Sequence, residues 1–241
     1  MKILAIDSSG SVASVAVMTE DTMIAEYTVN HKKTHSQTLL PMIESVMKMV
    51  EEDIKELDAI AIAKGPGSFT GLRIGAATVK GLALAAELPV IPVPTVDALA
   101  YNFFATDCII CPMMDARREQ VYCGLYEFEA DGAFKVLAEQ KACALEEIIS
   151  EVNSLGRKVI YLGDGADRYA EQIKSTTEVE YFFAPPHMSK QRAGAVGNLG
   201  IAYFKGKIYE NADNFAPEYL RLSQAEREEL EKTQKNKALK G

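Results

Sequence analysis

Short apolar runs separated by turn residues set the pattern of this chain. Residues 3–7 are apolar and end in an acid, residues 12–18 are apolar and β-branched, and residues 23–29 alternate. With the turn chemistry of Asp7-Ser8-Ser9-Gly10-Ser11 between the first two, they predict a three-stranded antiparallel meander. A helix is expected from a Thr34 or Ser36 cap to about Glu52, with Pro41 early in it. A buried strand over 57–63 leads into the glycine loop Lys64-Gly65-Pro66-Gly67-Ser68. A helix over about 70–87, a strand over 90–94 and a helical stretch over 95–104 complete the first half.

The pattern then restarts. Residues 108–114 are apolar and end at Asp115, Ala116-Arg117-Arg118-Glu119 is a turn, and strands are expected over 121–128 and 135–142. A helix over 145–155, a strand over 158–162 and a short helix over 169–174 follow. Pro185 and Pro186 break the chain, and Ser189 is expected to cap a helix ending near Phe204. Both halves run strand, acid, turn, strand, strand, helix, strand, helix. This predicts a duplicated α/β unit with mixed sheets, helices on their faces and a ligand cleft between the halves. A single α/β domain with a long insertion is the alternative. The boundaries read as 1–104 for the first domain and 105–222 for the second, with the helix over about 189–205 free to pack back on the first. The polar stretch 223–241 reads as a frayed helix or a disordered tail.

Composition narrows the class. Of 241 residues 48% are hydrophobic and 25% charged, as in an ordinary globular protein. No apolar run approaches the roughly 20 residues of a membrane helix. Asp7 interrupts the apolar N-terminal run, so no secretory leader is expected and the cytoplasm is the default location. The net charge of −8 argues against a stand-alone nucleic-acid binder, though not against a subunit of an RNA-binding assembly. Cys108 and Cys111 form a lone C-x-x-C in an apolar run and are read as small buried hydrophobes.

On the first turn, backbone N–H groups could meet a phosphate and Asp7 could hold a hydrated Mg²⁺; an ordinary hairpin turn is the simpler reading. The matching turn, Asp115-Ala116-Arg117-Arg118, has no glycine to let its backbone close on a nucleotide, although its arginines could meet an anion. Asp7, Ser8, Ser9, Arg117 and Arg118 are thus candidates for a vestigial nucleotide or anion site. Lys64 to Arg73 runs from a strand end into a helix start, which favours anions. It lacks the Gly-Lys-Ser/Thr of a phosphate-binding P-loop. An anion, another strand or a partner chain could pack on it.

Two helices carry more than one buried face needs. Gly71, Gly75, Ala77, Gly81 and Ala85 give the later helix small faces, and each helical glycine costs on the order of 1 kcal/mol. The earlier helix carries Leu39, Leu40, Met42, Ile43, Val46, Met47, Met49 and Val50 on more than one stripe. Leu39, Leu40, Ile43 and Met47, with Gly71, Gly75 and Ala77, are candidates for a partner surface, a deeply buried core helix being the alternative. His31 and His35 are four apart, but Lys32 and Lys33 replace the acid of a zinc motif. They are read as capping or hydrogen-bonding groups; His187 is assigned no role, and no metal site is expected.

From Lys64 to Gly75 the chain resembles the signature of the TsaB (YeaZ) family, which acts in the bacterial pathway making threonylcarbamoyladenosine (t6A) at position 37 of tRNA. Lys64, Gly65, Pro66, Gly67, Ser68, Thr70, Gly71 and Arg73 carry the resemblance. Residues 3–9, His35-Ser36-Gln37-Thr38-Leu39-Leu40-Pro41, Asp115-Ala116-Arg117-Arg118 with Val121-Tyr122, and Ala216-Pro217-Glu218-Tyr219-Leu220-Arg221 agree with it. It covers about residues 1–222.

The resemblance implies two tandem actin-like (ASKHA, ribonuclease H-like) domains. It implies a cytoplasmic, non-catalytic subunit without cofactor that binds and supports a paralogous TsaD catalytic subunit, together with a TsaE-like ATPase. In that complex the threonylcarbamoyl group passes from threonylcarbamoyl-AMP to adenine N6 of tRNAs reading codons that start with A. The tRNA is met only within the complex, and a homodimer is open to the free chain. TsaD carries a metal-binding H-x-x-x-H after its next strand; Thr95 and Leu99 stand at those places here and cannot replace imidazole. An actin-like phosphotransferase or ATPase working through Asp7, and a metallopeptidase, are the rival readings.

Overall fold

Each half of the chain builds a five-stranded mixed sheet in a computed structural model that describes residues 1–31 and 33–221. The polar tail predicted over 223–241 lies outside the described residues. In the first sheet β1 (Lys2–Asp7), β2 (Ala13–Thr19) and β3 (Met23–Val29) form the antiparallel meander. Strands β4 (Ala59–Gly65) and β5 (Val90–Pro94) join β1 in parallel, giving the order β3-β2-β1-β4-β5. In the second, β6 (Ile109–Arg117), β7 (Gln120–Phe128) and β8 (Phe134–Ala144) form the meander. Strands β9 (Val159–Leu162) and β10 (Tyr181–Phe183) add in parallel, so the order is β8-β7-β6-β9-β10. Counted within each half, both sheets run 3-2-1-4-5, which is the two-domain actin-like plan.

Seven helices are described: α1 (His35–Met49), α2 (Phe69–Ala86), α3 (Thr95–Ala100), α4 (Leu145–Leu155), α5 (Asp164–Arg168), α6 (Ala170–Thr176) and α7 (Ala193–Lys205). They cover both faces of each sheet, which is why the central strands are apolar almost throughout. Leu4, Ile6, Val15, Val17, Ile60 and Ile62 pack under α1 and α2. The alternate positions Ile3, Ala5, Ala16, Ala61 and Val93 pack under α7. In the second sheet Ile109, Cys111 and Met113 meet α4 and α6, through Ile148, Val152 and Ile173. On the other face Ile110, Met114 and Leu162 meet Val96, Leu99 and Ala100 of α3. Ala98 of the same helix packs into the first half's core, so α3 lies between the two sheets.

Several expectations are corrected. Ser189 does not cap α7; it is buried, its carbonyl accepts the Gly163 N–H at 2.8 Å, and the helix begins at Ala193. The sheet caps that helix instead: Ser14 Oγ accepts the Ala193 N–H and Glu26 Oε1 the Gly194 N–H, both at 2.9 Å. Glu26 also pairs with Arg192, placing a carboxylate where the helix dipole favours one. Thr34 stands at the cap position of α1 without a side-chain cap bond. Residues 95–104 are helical only to Ala100, where a single 3₁₀ turn takes over. Neither α5 nor β10 was expected, and the short helix after Tyr169 begins one residue later, at Ala170.

The candidate partner surface divides. Leu39, Ile43 and Met47 lie on the stripe that α1 buries, and Gly71 and Gly75 face inward on α2. The protein's own core consumes them, so they present nothing to a partner. Leu40 is 55% exposed, and Ala77 is exposed. Cys108, Cys111, Cys123 and Cys143 are all buried free thiols.

This division is measurable. Leu39→Ala should lower the unfolding free energy by about 2–5 kcal/mol, as for a large-to-small change in a core. Leu40→Ala, one residue on, should stay within about 0.5 kcal/mol of the parent. Urea unfolding of both variants makes the comparison.

Candidate functional site

The glycine loop is explained by what packs on it. At Gly65 the backbone takes φ +124°, and a Cβ there would collide with the Glu218 carbonyl oxygen. Glu218 N–H donates to the Lys64 carbonyl at 2.7 Å, and its carboxylate pairs with Lys64 Nζ at 2.7 Å. Ser68 N–H donates to the Ser9 carbonyl at 2.6 Å while Ser68 Oγ accepts the Gly71 N–H at 3.3 Å, capping α2. Gly71 and Gly75 face Ser8: its hydroxyl donates to the Gly71 carbonyl at 2.9 Å, and a Cβ at either glycine would overlap it. Within the chain, the loop packs on the first turn and on the segment that starts at Glu218.

A cleft of about 780 Å³ lies beside this packing. Ser9, Gly10 and Ser11 line it from the first turn, Ser68, Phe69 and Thr70 from the start of α2, and Arg117 and Arg118 from the second turn. Residues 218–221 cross it. Tyr219 stacks on Phe69 with ring centroids 4.8 Å apart, and Arg73 Nε donates to the Tyr219 hydroxyl at 3.3 Å. Arg221 donates to the Ala116 carbonyl and, at 3.4 Å, to that of Arg117, so the segment ties the halves together.

The two turns have diverged. Asp7 is 1% exposed; its Oδ1 accepts from Ser9 N at 2.8 Å and from Ser9 Oγ at 2.6 Å. Burial pushes its carboxyl up to about 6, against the pull of the Ser9 bonds and of nearby His35. His35 Nε2 lies 2.8 Å from the Gly10 carbonyl, a hydrogen-bonding role. In the second turn Asp115 accepts from Arg117 N at 2.8 Å and from Arg168 Nη1 at 2.7 Å. Arg117, Arg118 and Glu119 hold φ of 63°, 55° and 60°, a left-handed run that costs non-glycine residues energy. Among the described residues the side chains of Arg117 and Arg118 have no hydrogen-bond or ion-pair partner.

Thr95 and Leu99 belong to the interior. Thr95 is fully buried and its Oγ1 accepts the Gly65 N–H at 3.1 Å; Leu99 packs in the core with Ile110 and Met114. Between them, Asp97 accepts from the Tyr126 hydroxyl at 2.7 Å, a buried bond from one half to the other. Burial pushes the Asp97 carboxyl up to about 6. Among the described residues no group of three or more His, Cys, Asp or Glu side chains is placed to hold a metal ion. The structure thus gathers Ser9, Ser68, Thr70, Arg117 and Arg118 at the cleft and leaves Asp7 and Ser8 beneath it. Sequence reasoning missed Phe69 as a cleft residue and the Asp97–Tyr126 bond; apolar neighbours at Asp97 were the available signal for the latter.

Comparison with known proteins gives a consistent set. The family model described as TsaD, tRNA N6-adenosine threonylcarbamoyltransferase, matches residues 22–229. The tRNA threonylcarbamoyladenosine biosynthesis protein TsaB of Bacillus subtilis (strain 168) is 33% identical, over 96% of this chain and 99% of that protein. The protein of the same name from Escherichia coli (strain K12) is 33% identical over 68% of this chain and 72% of its own. The solved structure of YeaZ from Pseudomonas aeruginosa superposes with a TM-score of 0.77 at 25% identity, covering 91% of this chain and 99% of that one.

Two outcomes are expected. Asp7 and Asp97 hold protons in the folded state up to about pH 6, well above an unfolded value near 4, so stability falls as pH rises through that window. Asp97→Asn keeps an acceptor for Tyr126 and should flatten the fall by on the order of 1–3 kcal/mol in urea unfolding at pH 4.5 and 7. Because the Asp7 carboxylate is spent on Ser9, the isolated chain should release no phosphate from ATP. Steady release that Asp7→Ala abolishes, with the fold intact, would contradict this.

Proposed function

Because the chain belongs to the TsaB (YeaZ) family, we propose that it acts in t6A formation on tRNA as a non-catalytic subunit. In this reading it binds a TsaD-like catalytic subunit and supports it, alongside a TsaE-like ATPase, while the threonylcarbamoyl group is transferred to adenine N6. The observation that carries the reading is the outer surface of α1 and α2. The two helices pack together over one face of the first sheet. Leu40, Met49 and Leu84 remain 55%, 77% and 53% exposed, together with exposed Pro41, Ala77, Gly81 and Ala85. Among the described residues a Cβ at Gly81 would meet nothing within 4 Å, so none of them calls for a helical glycine there. Ala77, Gly81 and Ala85 share one exposed face of α2 with Leu84, and small residues beside a large apolar one suit the close docking of a partner helix. The same surface would serve a homodimer of the free chain.

The burial of Asp7, and the core positions of Thr95 and Leu99, support a non-catalytic role. The net charge of −8 supports contact with tRNA only inside a complex.

The test places Glu singly at Leu40, Ala77 and Gly81. An unpaired charge buried in an interface costs about 3–5 kcal/mol, roughly a hundredfold or more in affinity. Each variant should unfold like the parent, yet at least one should lose both binding to the TsaD-like partner and tRNA modification by the reconstituted set. If all three bind and support modification normally, the partner surface lies elsewhere.

A further inference from the structure

The second sheet carries a side-chain cluster that the assembly reading leaves unused. Three of the four cysteines lie on one face of it, one on each strand of the meander: Cys111 on β6, Cys123 on β7 and Cys143 on β8. They share the core under α4 with Leu145, Ile148 and Val152. Two of them touch. Cys123 Sγ lies 3.3 Å from Cys143 Sγ, a buried hydrogen bond between neighbouring strands. Cys108 stands apart, its thiol donating to Asp107 Oδ1 at 3.7 Å. Two thiols in contact have a chemistry that a single buried cysteine lacks, because each sulfur can attack the other once one is oxidised.

The two thiols are not equivalent. Cys123 is fully buried, whereas Cys143 is 4% exposed and lies on β8, the edge strand of its sheet, where local opening admits a small molecule most easily. The hydrogen bond from Cys123 holds the Cys143 thiol below the ordinary range, against burial and the Glu147 carboxylate. The same bond pushes the Cys123 thiol up, and so does burial. Lys141 stands opposite Cys123 in the ladder and sets a cation beside the pair, tied to Glu147 at 2.9 Å and Glu151 at 2.6 Å. Negative charge on the pair therefore settles on Cys143 and the proton on Cys123. Burial pushes Cys111 well up, so it stays a thiol. A disulfide needs the two sulfurs about 1 Å closer. The β7–β8 register shifts immediately after Cys123, so the ladder is already irregular where it has to give. The strand it would fasten also reaches back to the first half: Gln140 of β8 donates to the Gly65 carbonyl and accepts the Val96 N–H, both at 3.3 Å.

We propose that Cys123 and Cys143 are a reversible redox pair, which a hydroperoxide oxidises to a disulfide that clasps β8 to β7. With hydrogen peroxide, the Cys143 thiolate attacks one oxygen, the O–O bond breaks, and hydroxide leaves a sulfenic acid on Cys143. That hydroxide takes up the proton Cys143 had released and becomes water. Cys123 then attacks the Cys143 sulfur. An S–S bond forms, the S–O bond breaks, and the departing hydroxide leaves as water with the Cys123 proton. Overall the two thiols give up two electrons and two protons, and the peroxide is reduced to two waters. A thiol reductant reverses the change by exchange. The proposal is independent of the assembly reading, since it is measured on the free chain.

Treatment of the full chain with excess hydrogen peroxide, followed by alkylation and peptide mapping by mass spectrometry, tests it. The four free thiols should fall to two, with Cys123 linked to Cys143 and with Cys108 and Cys111 still open to alkylation. Dithiothreitol should restore all four. Cys123→Ser should stop at a sulfenic acid on Cys143 that dimedone traps, and Cys143→Ser should leave Cys123 reduced. Oxidation should slow amide exchange across residues 134–144 severalfold and leave β1 to β3 as before. A folded chain that keeps four thiols overturns the proposal, as does a main link through Cys108 or Cys111. Unfolded in urea, the chain should give mixed links that include Cys108–Cys111. The same mixture from the folded chain overturns the proposal, because contact would not be directing the bond. Unchanged exchange across 134–144 removes the clasp and overturns it too. If a serine variant loses its fold by circular dichroism, the map of the oxidised parent decides the link and its exchange decides the clasp.

Discussion

The close approach of α2 to the first turn is the constraint on which the rest of the site depends. Ser8 reaches the Gly71 carbonyl and leaves no room for a side chain at Gly71 or Gly75. That approach brings Ser68 onto the Ser9 carbonyl and fixes where the loop before α2 runs. The loop in turn offers Lys64 and Gly65 to Glu218, which lays residues 218–221 across the cleft. A larger residue at Gly75 would push α2 off the turn and loosen everything downstream of it. The loop that in sequence is open to an anion, another strand or a partner chain is, in the folded chain, also a joint between three parts of one molecule.

Much of this architecture was legible because its elements carry their own punctuation. Each half opens with apolar strands bounded by turn residues, so the repeated succession of elements could be read before any contact was known. The misses have physical causes. Tyr181, Phe182 and Phe183 are too few to show a period, and Gly163-Asp164-Gly165 reads as a turn although a short helix starts within it. Glu26 caps α7 from 168 residues away, a partnership with no local signature. On α1 the excess of apolar residues was visible, but the phase of the helix was not. Leu39 and Leu40 look alike in sequence and differ by about a quarter turn, which separates core from surface. At the cleft, Arg117 and Arg118 were found through the repeat. Phe69 was not, because its stacking partner Tyr219 is 150 residues along the chain.

The two halves show how one plan serves two ends. In the first, the acid after β1 folds into its own turn, where its carboxyl accepts both Ser9 bonds and burial raises it to about 6. In the second, the acid after β6 stays bound to Arg168, and the arginines beyond it face open space. The topology persists while the chemistry of the turns separates.

The placement of α7 has a consequence for how the molecule is made. The strands of the first sheet are complete by Pro94, yet Ile3, Ala5, Ala61 and Val93 pack under a helix that starts only at Ala193. During synthesis one face of that sheet stays open until nearly the whole second half has left the ribosome. The second sheet is enclosed in sequence between the first sheet and its lid. The chain therefore matures as a loop that closes on its own beginning, and no cut between the two sheets leaves a first half able to shield itself from water.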